Sequence, residues 1–140
     1  MKLLKIRTLT LAFFVAVCPM MVVASDGKVQ AAEEAAADWL ALVDANAYEA
    51  SWNEAAALFR SQVNPSDWSK SVAAARHPLG GVIARKLLDA TYATTLPGAP
   101  DGEYVVLQFQ TDFENKTQAV ETVTPMLDEG RWRVSGYYVR

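Results

Sequence analysis

The chain has 140 residues, a length that favours a single domain. Its 13 basic and 16 acidic residues give a net charge of −3 at pH 7, which argues against nucleic acid as a partner. It has one cysteine, Cys18, and one histidine, His77. An intrachain disulfide is therefore excluded, and a zinc site would have to consist mostly of carboxylates, which is uncommon. We predict no metal and no cofactor.

The first 24 residues have the pattern of a secretion signal, with a positive start that ends at Arg7 and an apolar stretch over residues 9–23. Val22 and Ala24 stand at the spacing that signal peptidase prefers. We predict cleavage after Ala24, a periplasmic or secreted protein, and one mature domain over residues 25–140. The signal holds three of the 13 basic residues and no acidic residue, so the mature part has a net charge of −6.

Two alternatives to a cleaved signal are left open. The apolar stretch of 15 residues is shorter than the roughly 20 that a membrane-spanning helix needs, but a retained anchor is one alternative. The other is a lipid attached to Cys18, although Val17 stands before it where lipoprotein signals have a small residue. After cleavage we expect no membrane span.

Three helices are predicted in the first half of the mature chain. In the first, over residues 29–43, apolar side chains that include Trp39 recur at helical spacing. Asn46, followed three residues later by Glu49, is a variant of the capping box and predicts the start of the second helix. That second helix carries Trp52 on its apolar side.

The third helix has the clearest start. Asn64 is the predicted N-cap, and Pro65 takes the first helical position, where its missing N–H is no loss. Trp68 lies on the apolar side of this helix. His77 and the proline that follows it are expected at the end of the helix, where a histidine contacts the helix dipole or solvent.

Beyond Val82 the apolar residues alternate with a period of two, which is typical of strands. Four strands are predicted, over residues 83–95, 103–111, 117–126 and 131–139. Short connections predict an antiparallel sheet in the order 1-2-3-4. We assign Val105, Leu107 and Phe109 to the face under the helices, and Pro125 to a strand end or a bulge. The predicted fold is therefore α+β, with three helices on one face of a four-stranded antiparallel meander.

The loop before the second strand is rich in turn-forming residues. It reads Leu-Pro-Gly-Ala-Pro-Asp-Gly over residues 96–102. An Asp-Gly pair directly before a strand is a hairpin signal, so we expect a positive φ at Gly102.

Several motifs of the mature chain resemble a known family. They are LPGAPDGEYV at residues 96–105, ETVTPM at 121–126 and WRVSGYY at 132–138. With Trp52 and Trp68 they resemble the secreted bacterial family called domain of unknown function 4019. The resemblance implies a small envelope protein and brings no established activity. The order of elements is also similar to cone-shaped folds of the nuclear-transport-factor-2 or cystatin type.

The tryptophans on the three helix stripes allow two interpretations. If the stripes face the sheet, the indoles converge near Trp132, and they then either fill the core or line a ligand cavity. The residues of such a cavity are Trp39, Trp52 and Trp68 from the helices, with Arg85, Tyr92 and Glu121 from the sheet. A solvent-exposed ion pair between Arg85 and Glu121 is the alternative for those two charged residues.

The second candidate site is the face of the sheet that the helices leave uncovered. The residues predicted there are Tyr104, Val106, Gln108 and Tyr137. Aromatic residues with few charges are typical of the centre of a protein interface, so this face is expected to pair with another copy or with an envelope protein. An ordinary half-polar sheet surface is the alternative.

No catalytic motif stands out, and we predict no catalytic residue. The favoured hypothesis is a non-enzymatic binding or interaction module whose partner is an unknown small ligand or envelope protein. The alternative is a small hydrolase or isomerase that works in an aromatic-lined cavity. Such an enzyme needs a buried carboxylate with a raised pKa, for which Asp89 and Glu121 are the strand candidates.

Overall fold

The computed structural model describes the backbone of residues 20–140 and the side chains of residues 25–140. Most of the predicted signal, with Cys18, lies outside the described residues, as do the side chains up to Ala24. Across the part that is described, none of the helices combines the length and the apolar composition needed to cross a bilayer.

The described residues form four α-helices where three were predicted. They are α1 (Met20–Asp44), α2 (Tyr48–Glu54), α3 (Ala57–Gln62) and α4 (Pro65–Arg76), followed by a 3-10 turn over His77–Leu79. The predicted second helix is split into α2 and α3 because Ala55 and Ala56 are extended, with ψ of 162° and 151°. The N–H of Ala56 donates to the carbonyl of Val134 at 2.8 Å and so ties this break to the sheet.

The two predicted helix caps have opposite outcomes. The side chain of Asn64 accepts a hydrogen bond from the N–H of Asp67 at 2.9 Å, so its role as the N-cap of α4 is confirmed. The capping box at Asn46 is wrong: this residue takes a left-handed φ of 58°, and Ala47 stands at the N-cap of α2 without a side-chain bond. His77 lies at the end of α4, as predicted.

The four strands form one antiparallel sheet in the predicted order β1-β2-β3-β4. They are β1 (Val82–Ala93), β2 (Tyr104–Phe113), β3 (Lys116–Asp128) and β4 (Arg131–Val139). Glu129 and Gly130 connect β3 to β4 with φ of 49° and 79°, the pair of positive values that a tight hairpin turn requires. The helices pack on this sheet, so the α+β class is confirmed.

Besides a register shift at the start of β1, between Val82 and Ala84, two bulges change the phase of the side chains further along the edge strands. In β1, Leu87 pairs with Phe109 and Asp89 pairs with Gln108, which leaves Leu88 as an extra residue. In β4, Ser135 is the extra residue, opposite Thr124 and Pro125 of β3, so the prediction of a bulge at Pro125 is confirmed. Because side chains alternate with a period of two, each extra residue reverses which face the following side chains occupy.

The core lies between the helices and the face of β2 that was assigned to them. Val105 and Leu107 are fully buried and Phe109 is nearly so, which confirms that assignment. The helices contribute Trp39 and Trp68 to the same cluster. Apolar residues from β3 and β4 complete it, mainly Val123 and Val134.

The loop between β1 and β2 folds back over the end of the sheet. Gly98 has a φ of 76°, whereas Gly102 has no positive φ, so the prediction for Gly102 is wrong. The N–H of Gly102 donates to the carbonyl of Thr94 at 3.1 Å and closes the base of the loop. The hydroxyl of Tyr104 donates to the carbonyl of Pro100 at 2.6 Å, and the loop thereby covers this ring.

Candidate functional site

Trp39 and Trp68 fill the space where an aromatic-lined cavity was one interpretation. Their ring centroids are 5.8 Å apart and both side chains are buried. Both indoles bind Ser51: Trp39 donates to its carbonyl at 2.8 Å, and Trp68 donates to its hydroxyl at 2.9 Å. Buried indole N–H groups need such partners. At these two positions the structure therefore follows the core interpretation.

Trp52 of α2 is half-buried and packs against the core cluster that contains this pair. Its indole N–H donates to the carbonyl of Val63 at 2.8 Å, and the guanidinium of Arg60 lies 5.9 Å above its ring. Trp132 is half-buried on β4, at the edge of the sheet. The four tryptophans therefore meet at one core cluster, with Trp39 and Trp68 inside it and Trp52 and Trp132 packed against it, as the core interpretation predicts.

Arg85 and Glu121 form the ion pair that the sequence suggested, with Nε and Oε1 2.8 Å apart. The expectation that this pair lies in solvent is wrong, because Glu121 is fully buried. Glu121 lies between Ala119 and Val123 on the apolar side of β3, which faces the helices. The carboxylate is therefore part of the core.

Three hydrogen-bond donors and a second arginine surround the carboxylate of Glu121. Oε1 accepts from Arg85 and from the hydroxyl of Thr111 at 2.6 Å, while Oε2 accepts from the hydroxyl of Tyr137 at 2.5 Å. Arg76 lies on the other side, with Nη1 3.7 Å from Oε2. A buried charge is tolerated only when it is paired and hydrogen-bonded in this way.

A second carboxylate, at the end of α1, completes the network. Asp44 accepts from Arg76 at 2.7 Å and from both terminal nitrogens of Arg85 at 2.8 and 3.0 Å. Two arginines and two carboxylates therefore balance each other, which joins α1, α4, β1 and β3. We call this set, with Tyr137 and Thr111, the ionic network.

The pKa values within the ionic network follow from burial and charge. Burial alone would raise the pKa of Asp44, but hydrogen bonds from Arg85 and Arg76 outweigh it and hold that pKa below its usual value. Burial raises the pKa of the Tyr137 hydroxyl strongly, and the negative charge of Glu121 raises it further. The network therefore favours charged Asp44 and neutral Tyr137.

Tyr92 belongs to a different cluster at the other end of the sheet. Its hydroxyl donates to Glu103 at 2.7 Å, and the same carboxylate oxygen pairs with Lys28 of α1. The bulge at Leu88 places Tyr92 on the same sheet face as Arg85, but the two belong to separate clusters. The six predicted cavity residues are thus not brought together into one cavity.

The outer face of the sheet keeps only part of the predicted interface. Val106 and Gln108 are half-buried and lie on the face opposite the helices, as predicted. The predictions for the two tyrosines are wrong: Tyr104 is 1% exposed beneath its loop, and Tyr137 faces the helices because of the bulge in β4. This face therefore has fewer aromatic side chains than expected.

A groove between α1, the end of α2 and the start of β4 was not predicted. Its volume is about 300 Å³. Its lining residues are Ala35, Asp38, Trp39, Leu42, Glu54, Arg131, Trp132, Arg133 and Val134. We call it the α1–β4 groove. The signal that could have found it is the Arg-Trp-Arg sequence at residues 131–133, which puts an aromatic residue and two cations next to each other in sequence on an edge strand.

The charges around the α1–β4 groove are divided between its two sides. Asp38 and Glu54 come from the helices, whereas Arg131 and Arg133 come from β4. Among the described residues, none of these four forms an ion pair within 4.0 Å. The groove therefore presents unpaired charges of both signs beside an indole ring.

These observations define a class: a small α+β protein with helices on one face of an open antiparallel sheet and a charged, aromatic groove at its edge. Within residues 25–140 no group of three or more histidine, cysteine or acidic side chains is arranged to hold a metal ion. Residues 35–137 match the family model described as "Protein of unknown function (DUF4019)", and the chain belongs to this family. The resemblance of the sequence motifs is thereby confirmed. No curated protein and no solved structure matches the chain.

Proposed function

We propose that the protein is an exported, non-enzymatic binding module that acts in the periplasm or outside the cell. Its binding site in this proposal is the α1–β4 groove. One observation carries the proposal: a groove of about 300 Å³ is lined by Trp132 and by four charged residues that form no ion pair within the described part of the chain. Small-ligand sites combine apolar walls with a few polar groups and begin at about this size.

The enzymatic alternative has less support from the geometry. It requires a buried carboxylate that a substrate can reach, and Glu121 is buried. Both oxygens of Glu121 already accept hydrogen bonds from Arg85, Thr111 and Tyr137. Glu121 lines none of the four principal grooves in the described part. A substrate would have to displace these donors before it could use the carboxylate.

Native mass spectrometry of the protein from its own host tests both parts of the proposal. Expressed from the full-length chain, the protein is expected in the envelope fraction with the mass of residues 25–140 and a bound small molecule. Arg131→Ala should release that molecule, while Arg140→Ala, at the exposed chain end, should retain it.

Three results would contradict the proposal. A mass that retains residues 1–24, or a lipid on Cys18, would contradict release as a free exported protein. A ligand that Arg131→Ala retains would contradict the groove as its site. Chemical turnover of the ligand that Glu121→Gln abolishes would favour the enzymatic alternative.

A further inference from the structure

We propose that two copies of the protein pair through their β1 strands, antiparallel, around a two-fold axis that lies between Leu87 and Leu88. The two four-stranded sheets then form one continuous sheet, with Lys86 of each copy opposite Asp89 of the other. This surface is separate from the α1–β4 groove, so the inference goes beyond the proposed function and does not depend on it.

The strand β1 is the edge of the sheet that the described part of the chain leaves open. It pairs with β2 on one side only. Among the described residues, no backbone hydrogen bond from outside the sheet reaches residues 82–93. At the other edge, the carbonyl of Val134 in β4 accepts the N–H of Ala56. The outward N–H and C=O groups of an open edge can pair with another strand.

The composition of β1 contains features that favour pairing and features that oppose it. Its 12 residues include neither proline nor glycine, which interrupt pairing most often. Leu88 is 50% exposed, as one of three large apolar residues that stay exposed in the described part. Charges and bulges usually protect an edge, and β1 has both, at Lys86, at Asp89 and at the bulge. The arrangement of these residues decides whether they prevent pairing or select one register.

The bulge puts Lys86 and Asp89 on the same face of the sheet. Lys86 pairs with Gln110 of β2. Asp89 pairs with Gln108, only two positions away along β2. In a regular strand, residues three positions apart lie on opposite faces, but the extra residue Leu88 removes that difference. Both charged residues therefore lie on the outer face, and both are exposed.

A two-fold axis between Leu87 and Leu88 makes these two charges complementary. Around this axis Lys86 of each copy stands opposite Asp89 of the other, so two identical ion pairs can form. Residues directly opposite each other in an antiparallel pair have Cβ atoms roughly 4.5–5.5 Å apart, close enough for such a pair. Within the described part of one chain, neither Lys86 nor Asp89 has an ion pair within 4.0 Å.

The same axis removes the obstacle that a bulge normally presents to pairing. Each copy has its extra residue at the same position, so Leu87 and Leu88 of one strand lie opposite Leu88 and Leu87 of the other. Neither strand then has an excess residue. A foreign strand without a bulge would place one residue opposite two and leave one of them unpaired. The bulge therefore favours a second copy, and any shift of register would separate both ion pairs at once.

Sedimentation of the protein secreted from the full-length chain tests this inference by an exchange of charges. The unmodified protein is expected to form dimers. Lys86→Asp and Asp89→Lys each place like charges opposite each other, and each should raise the dimer dissociation constant about tenfold or more. The double variant restores opposite charges and should return the constant to near its unmodified value. Lys116→Asp, at the exposed start of β3, is the matched control and should leave the constant unchanged.

Hydrogen exchange gives a second measurement that needs no variant. In the dimer the outward amide groups of β1 gain hydrogen-bond partners. Exchange within residues 82–93 should therefore become slower as the protein concentration rises. Exchange in β4 should not depend on concentration, because that strand lies at the opposite edge of the sheet.

The possible results distinguish this interface from others. A protein that stays monomeric at high concentration, or β1 amides that exchange equally fast at every concentration, would overturn pairing through β1. A double variant that associates as weakly as the single variants would overturn the proposed register. Dimers that Val106→Lys dissociates and Lys86→Asp does not would place the interface on the outer face. Exchange in β1 that slows only when envelope extract is added would assign this edge to a foreign strand.

Discussion

Glu121 has the surroundings of a carboxylate that stabilises the protein from inside the core. It is fully buried, and its bonds reach residues on β1, β2 and β4. A buried ion pair adds little net stability compared with a well-packed apolar pair, but removing one partner leaves the other charge uncompensated. The two arginines of the ionic network therefore need both carboxylates to compensate their charge.

Glu121→Gln is expected to lower the free energy of unfolding by about 3 kcal/mol, because the guanidinium groups of Arg76 and Arg85 lose a buried counter-charge. Urea denaturation followed by tryptophan fluorescence measures the change. Glu129→Gln, at the exposed hairpin turn, is the matched control and should stay within about 0.5 kcal/mol of the unmodified protein. Equal midpoints for the two variants would show that the network contributes nothing to stability.

Asp44 makes stability depend on pH in the acid range. Its pKa in the folded protein lies below the ordinary value of about 3.9, so folding favours the charged form. That contribution is present above the unfolded pKa and is lost as the pH falls through the lower, folded pKa. The unmodified protein should therefore have a higher free energy of unfolding than Asp44→Asn. This difference should be constant above about pH 5 and become smaller below about pH 4.

Denaturation curves from about pH 2.5 to 7, which span the loss of the Asp44 charge, measure this difference. Asp101→Asn, in an exposed loop, is the control. Its free energy of unfolding should differ from that of the unmodified protein by the same amount at every pH. The difference in the free energy of unfolding between Asp44→Asn and the unmodified protein could instead stay the same down to the lowest pH. That result would contradict the assigned downward shift of the Asp44 pKa.

At the scale of elements, the bulges at Leu88 and Ser135 explain the different outcomes for central and edge strands. The sequence predicted the buried face of the central strand β2 correctly but assigned Tyr137 of the edge strand β4 to the wrong face. The regular alternation in β2 was enough to assign Val105, Leu107 and Phe109 to the core. In β4 the same alternation fails after Val134, because the extra residue Ser135 turns Tyr137 towards the helices. A single extra residue changes the face without changing the apolar composition of the strand, so periodicity alone cannot locate it.

Other local signals were sufficient by themselves. The cap at Asn64 and the short connection between the third and fourth strands depend on neighbouring atoms only, and both were predicted. The α1–β4 groove and the ionic network depend on residues far apart in the chain, such as Asp44 and Glu121, 2.8 Å from Arg85 in each case. Their charged side chains looked like solvent-facing residues, because a single sequence does not show which strands and helices meet.

The loop before β2 gives a prediction at this scale. Gly98 has a φ of 76° and open space where a methyl group would lie, so Gly98→Ala should cost about 1 kcal/mol from backbone strain alone. Gly102 has no positive φ, and an added methyl would meet only the Tyr104 ring at an ordinary 3.5 Å. Gly102→Ala should therefore be nearly neutral. Thermal unfolding of both variants measures the difference, and the reverse order of stability would contradict this loop geometry.

At the scale of the whole molecule, the helices cover one face of the sheet and leave the other uncovered. The uncovered face carries half-buried side chains such as Val106, Gln108 and Thr122. Pairing of this face with another copy or with an envelope protein stays a prediction. Two tyrosines that the sequence predicted on this face are not exposed there. Tyr104 lies beneath a loop, and Tyr137 lies beneath the helices.

Val106→Lys and Leu107→Lys form a matched test of the two faces. Val106→Lys should leave the protein folded, because its side chain points away from the helices. Leu107→Lys should prevent folding, since it places a charge where the side chain is fully buried. Circular dichroism distinguishes these results. Failure of Val106→Lys to fold would show that the side chains were assigned to the wrong faces of the sheet.

Sedimentation of the unmodified protein and of Val106→Lys tests the predicted homodimer. If the outer face pairs two copies, the unmodified protein should sediment as a dimer and the lysine variant as a monomer. A monomer at high concentration for the unmodified protein would exclude self-pairing and leave only a foreign partner for this face.

The ionic network also bears on how fast the protein unfolds. Its charged members lie at positions 44, 76, 85 and 121, so the helices and the sheet must be assembled before all of its bonds can close. The hairpins β1–β2, β2–β3 and β3–β4 join neighbours in sequence and can form earlier. Interactions that form after the folding transition state slow unfolding and leave the folding rate almost unchanged. We therefore predict that the network lengthens the lifetime of the folded protein by slowing its unfolding.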